Sequence, residues 1–193
     1  MAKILLALAV LLPYAVDGII ISFVNPVFPL LAQSHQAPSM VEGLLFSFFA
    51  IPQLLVFLYA PSMEHKCGVK NTFMIHLLIN AVSVLFLGGL HYIYSPALFS
   101  IWGLFFRMLN GFGDAGITYQ FRPIAKRLLP SHFALMNELS WATASITFGI
   151  GPLISAPIYA HYGFDLVCFF VALLALLGAI QVCCSLSARQ CEP

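Results

Sequence analysis

Charge is scarce in this chain. Asp, Glu, Lys and Arg together make up 8% of its 193 residues, against about 25% in an ordinary soluble domain. Eight basic and seven acidic side chains cannot cover the surface of a soluble protein of this size. The net charge of +1 provides no field for nucleic acid or another polyanion. Catalytic signatures are absent as well: there is no Ser/His/Asp cluster, no glycine-rich phosphate loop and no HExxH, so the chain reads as a non-enzyme. The six histidines (35, 65, 76, 91, 132 and 161) are scattered, four of them in predicted connections or at membrane edges. Cysteine is sparse. Cys67, Cys168, Cys183, Cys184 and Cys191 show no metal-ligand spacing, and an odd count argues against a disulfide framework. No metal or cofactor is expected. The cysteines read as apolar filler, with palmitoylation open for those near residues 183–191.

What is abundant is apolar. Hydrophobic residues make up 61% of the chain and eighteen are Phe, which suits a surface facing lipid. Six apolar stretches, at 4–31, 43–60, 72–90, 97–118, 136–160 and 166–187, each approach the ~20 residues that cross a hydrocarbon core. Helices are required, because in lipid the backbone must satisfy its own hydrogen bonds. The expected fold is therefore an all-α integral membrane protein, a single domain over 1–193 with six transmembrane helices. "MAKILLALAVLLPYAV" has the look of a signal peptide, but the apolar run resumes as "IIISFV" without a convincing cleavage site. A first spanning helix is the better reading. Turn chemistry marks the breaks: "QSHQAPS", "PSMEHKCGVKN", "HYIYSP", "RLLPSH" and "HYGFD".

The cations fall on one side of this scheme. Lys3 precedes the first stretch, Lys66 and Lys70 separate the second from the third, Arg122, Lys126 and Arg127 separate the fourth from the fifth, and Arg189 follows the sixth. The other connections hold neither Lys nor Arg. The positive-inside rule makes the charged side, and with it both termini, cytoplasmic.

The few polar residues inside the apolar stretches are the candidate site. Asp17 interrupts "YAVDGIIISFVNPVFP" (14–29), and a carboxylate buried in a bilayer is a functional candidate by default. Arg107 and Asp114, seven residues apart, return to nearly one helix face with Gly111 between them. They are too far apart for an easy direct bond, yet they can line one polar stripe, or each can pair with a neighbouring helix. Glu138 begins the fifth stretch, where a wet carboxylate suits the helix dipole. Gln53, Asn80, Asn110 and Gln181 have helix–helix hydrogen bonding as their plainest role. Pro13, Pro26, Pro29, Pro52, Pro152 and Pro157 should kink or break their helices.

Five pieces of this pattern, in order, resemble the N-terminal six-helix half of the major facilitator superfamily, and within it the vesicular amine transporters, polyamine branch included. They are Asp17 with Pro26 and Pro29; "GLLF" (43–46) with Gln53-Leu54; "PSMEHKCGVK" in place of the loop signature; "RMLNGFG" (107–113) as R-x-x-x-G-x-G; and "GIGPLISAPIYAHYGF" as the antiporter signature. Departures are present. Pro61 stands for the usual Gly and His65 for the usual acid, with Glu64 adjacent, while Gly68 and Lys70 keep their places. Ser155 and Ala156 replace a small glycine pair. The first outer connection carries no glycosylation sequon, which leans toward the polyamine-like branch.

The resemblance implies proton-coupled antiport of a small cationic amine or polyamine across a vesicular or other endomembrane. Asp17, Gln53 and Asn110 would bind substrate. Arg107, Gly111, Gly113, Gly151, Pro152, Gly68 and Lys70 would line or gate the pathway; Asp114 is not a signature residue of that family and joins them through the polar stripe it shares with Arg107. The family has twelve helices and places further proton-coupling carboxylates in its second half. A second six-helix half, by dimerisation or hetero-assembly, is thus implied as a partner beside lipid, amine and protons. The alternative is a truncated, regulatory or structural membrane subunit that does not transport.

Overall fold

The computed structural model describes the backbone of residues 2–185 and the side chains of residues 6–185. The Lys3 side chain, Arg189 and Cys191 lie outside the described residues. The described residues are mostly helical, with no strand among them. The helices are α1 (Ala2–Ser22), α2 (Val24–Ser34), α3 (Ser39–Cys67), α4 (Val69–Gly88), α5 (Pro96–Leu128), α6 (Phe133–Tyr162) and α7 (Phe164–Ser185), with short 3-10 turns at Gly89–Tyr92 and Pro130–His132. Five helical segments are long and apolar enough to cross a membrane: Leu6–Ser34, Ser39–Cys67, Val69–Tyr92, Pro130–Tyr162 and Phe164–Ser185. The sixth long helix, α5, has 33 residues and includes Arg107, Asp114, Arg122, Lys126 and Arg127.

The first apolar stretch is two helices, not one. Pro26 lacks the N–H that the Ser22 carbonyl would accept, and its ring crowds that carbonyl. The helix breaks at Phe23, one turn before the proline. α2 then ends with Gln36 N–H donating to the Gln33 carbonyl and Ala37 N–H to the Ala32 carbonyl, a Schellman closure. Its left-handed position, usually glycine, holds Gln36 at φ 53°.

Two predicted connections are helical instead. "PSMEHKCGVK" is mostly the last turns of α3, and the only non-helical residue between α3 and α4 is Gly68. Gly68 sits at φ 79°, ψ 156°, a conformation essentially restricted to glycine. Arg122, Lys126 and Arg127, expected in a loop, extend α5. α5 continues because Pro123 removes a single backbone donor while neighbouring turns hold the helix. The two cationic groups nonetheless lie at one end of the bundle, where Arg127 pairs with Glu64 at 3.1 Å.

Packing centres on α5, which lies against both α3 and α4; α4 packs on α7, and α1 on α6 and α7. The core forms two main apolar clusters. One gathers Ile20, Phe23, Phe28, Ala81, Phe99 and Phe164. The other gathers Val10, Tyr14, Leu77, Ile117, Phe121 and Val182. α1 passes from one cluster to the other at Asp17, α4 at Asn80, and α5 between Arg107 and Asp114. The polar residues therefore share one layer at mid-height, sealed by hydrocarbon on either side.

Candidate functional site: a buried polar layer

Asp17, Asn80, Arg107, Asn110 and Asp114 are each at most 4% exposed. They form one chain of contacts across three helices. Asn80 Nδ2 donates to Asp17 Oδ1 at 2.6 Å. The Asn80 side-chain oxygen accepts from Asn110 Nδ2. The Asn110 oxygen accepts from the Arg107 guanidinium at 2.5 Å. Arg107 reaches on to the Ile21 carbonyl, 3.4 Å away, beside the α1–α2 break. At the other end, the Asp114 carboxyl lies near that of Asp17, and Gln53 Nε2 donates to Asp114 Oδ2 at 2.7 Å.

Local sequence explains why these groups can meet. Two helices approach closely only where side chains are small. A Cβ added at Gly113 would contact the backbone of Asn80, and one at Gly111 would overlap the Phe49 carbonyl. These two glycines bring α5 against α4 and α3 at the level of the layer. Phe49 in turn places its ring 4.3 Å from the Arg107 guanidinium carbon, a cation–π contact. Arg107 Nε has no hydrogen-bond partner among the described residues. Arg107 and Asp114 make no direct bond; they belong to one stripe, as their spacing predicts.

The other predicted site residues fall elsewhere. A Cβ at Gly151 would meet Ser22 and the Ile19 carbonyl, so Gly151 seats α6 on α1 just below the break, with Pro152 half-buried beside it. Gly68 and Lys70 are at the cationic end, roughly 15 Å along α4 from Asn80. Lys70 Nζ donates to the Cys183 carbonyl at 3.0 Å, which ties α4 to α7. Glu138 is exposed. Glu64, adjacent to the unusual His65, takes the ion pair with Arg127.

Two parts of the site were not assigned to substrate or pathway from the sequence. Asn80 does form the helix–helix bond expected of it, but as the link between Asp17 and Asn110. Its only signal was an amide inside an apolar stretch. One turn along α4, His76 is fully buried. Its Nδ1 is 2.7 Å from the Thr72 carbonyl, so it donates there and leaves Nε2 to the Tyr59 hydroxyl at 2.8 Å. A cavity of ≈ 510 Å³ lies between α1, α3, α5 and α6, one helical turn from Asp17 along α1 and from Asp114 along α5. Tyr14, Phe57, Tyr119, Phe121 and Trp141 give it aromatic walls, and the exposed Arg122 stands at its rim.

An apolar helical bundle that seals two carboxyls and a guanidinium at mid-height is a membrane protein built around an internal polar site, and intramembrane charge of this kind marks solute or proton pathways. The family comparison agrees: the chain matches the Major Facilitator Superfamily over residues 10–190. It belongs to that superfamily, whose members are typically membrane transporters rather than enzymes. No curated protein gives a significant match.

Proposed function

We propose that the chain exchanges a small organic cation for a proton at the Asp17–Asp114 pair. The observation that carries this reading is a charge count. The charged side chains buried in the layer are Asp17, Asp114 and Arg107. With all three ionised the layer holds one net negative charge, and low-dielectric surroundings demand that it be neutralised. One proton does so, and one ammonium group does so equally. The two are then alternatives at one place, which is what antiport requires. Asn80 and Gln53, each donating to one carboxyl, hold the pair in position. Arg107 neutralises the second carboxyl through the layer without occupying the cation's place.

Six crossings follow if α5 spans as well, its charges turned inward or placed at the cationic end. Both termini are then cytoplasmic. The layer is one wall of a site, because a transporter's substrate lies between two halves near the midplane. A second six-helix unit supplies the other wall, and an acidified endomembrane supplies the proton gradient. Gly151 and Pro152 allow α6 to move on α1, and the Gly68 turn with Lys70 anchors α4 to α7.

Calorimetric titration of an alkylamine into the purified chain in lipid nanodiscs tests this. Amine binding should weaken as pH falls, because protons compete for the pair. Asp17→Asn should abolish both binding and pH dependence, and Asp17→Glu should retain part of each. Amine binding to Asp17→Asn that equals wild type would show Asp17 to be a structural residue and refute the reading.

A further inference from the structure

The aromatic cavity has two chemically different ends. At its inner end is Tyr14, which packs on Phe121 with ring centroids 4.9 Å apart. Tyr14 lies one turn before Asp17 on α1, and Thr118, another lining residue, lies one turn after Asp114 on α5. Tyr14, Thr118 and Arg122 all line this cavity, and Asp17 and Asp114 lie one helical turn deeper on the same two helices. Arg122 is eight residues from Asp114, ~12 Å along α5, a gap that its long side chain and a ring-sized ligand span together.

A chamber meant for a plain cation would not present a guanidinium at its mouth, since like charge at the entrance repels the ligand. We propose that the preferred substrate is a zwitterion: an ammonium group for the carboxyl pair, a flat apolar or aromatic middle for the aromatic walls, and an anionic group at the far end for Arg122. The fit is chemical at each level. Carboxylates select the ammonium group, ring faces select an apolar middle, and a guanidinium pairs with a carboxylate through two parallel hydrogen bonds. The inference rests on the amine reading above, and adds Arg122 as the residue that sets specificity.

The test compares two probes of one shape, 4-(aminomethyl)benzoate and 4-methylbenzylamine, which share the ammonium group and the ring and differ in the terminal anion. Binding to the full chain in nanodiscs is measured at one pH and salt concentration. Wild type should bind the zwitterion about tenfold more tightly, the effect of one charge-assisted hydrogen-bonded contact on a partly wet group. Arg122→Gln should bring that ratio to about one, from both sides: the zwitterion weakens, and 4-methylbenzylamine tightens as the repulsion is removed. Arg122→Lys should keep a reduced preference, because it retains the charge without the paired donors. Equal affinities in wild type, or a preference that survives Arg122→Gln, would overturn the zwitterion inference and leave the amine reading standing. Loss of both probes in Arg122→Gln would likewise overturn it, by making Arg122 a fold residue. Failure of wild type to bind either probe would refute the amine reading itself.

Discussion

Asn80→Ala tests whether the polar layer is a structural unit. The substitution removes the donor to Asp17 Oδ1 at 2.6 Å and the acceptor used by Asn110 Nδ2. A hydrogen bond to a charged group contributes about 1.5–3 kcal/mol and a neutral one about 1. In membrane proteins the measured values run lower, because the unfolded chain in lipid finds other partners. Truncation also leaves a small void beside Gly113, whose packing depends on the Asn80 backbone. The expected loss is about 2–4 kcal/mol. Asn71→Ala is the control: Asn71 is exposed on the same helix and donates once, to the Cys67 carbonyl at 2.9 Å. It should cost less than about 0.5 kcal/mol. Reversible unfolding in mixed micelles, followed by circular dichroism, measures both. Asn80→Asp adds a diagnostic, since it keeps the acceptor for Asn110 but sets a third carboxyl against Asp17. It should be unstable at neutral pH and recover as pH falls, when a proton relieves the repulsion. If Asn80→Ala and Asn71→Ala are equal within error, the layer does not hold the helices together, and the charge count behind the exchange reading loses its basis.

The space beside each Cα predicts opposite effects at two glycines, Gly116 on α5 and Gly43 on α3. A Cβ at Gly116 would overlap the His76 ring, so Gly116→Ala should cost about 1–3 kcal/mol; a Cβ at Gly43 meets nothing within 4 Å, so Gly43→Ala should gain up to about 1 kcal/mol from helix propensity. The same unfolding assay reads both. The six-crossing topology predicts labelling by a membrane-impermeant thiol reagent, in a background with Cys67, Cys183, Cys184 and Cys191 replaced by Ser. Single cysteines at Ser34, Tyr94 and Tyr162 should react from one side, and those at Lys66 and Lys126 only after permeabilisation; reaction of the Lys126 probe together with the Tyr94 probe would refute it.

The solvent of this protein was legible in its sequence, because too little charge and too much Phe leave only a lipid-facing surface. Helical structure follows from the same fact, since a backbone in lipid has few other ways to satisfy itself. The proline just after the α1–α2 break and the small residues of "RMLNGFG" were also legible, because their effects are local: a missing donor and an absent Cβ. Asp17, Arg107 and Asp114 stood out as candidates because charge in an apolar run is costly wherever the helix goes. Their connection did not. Whether Asp17 meets Asn80, whether Asp114 turns toward Asp17 or toward Arg107, and whether Arg122 lies in a wet loop or beside an aromatic cavity depend on rotations and heights of α1, α3, α4 and α5 relative to one another. Those are decided by how glycines and rings interlock between helices distant in sequence, such as Gly113 on Asn80 and Phe49 beneath Arg107. Only the packed bundle specifies them, because the pattern along one helix records which face is apolar but not which residue of another helix that face will meet.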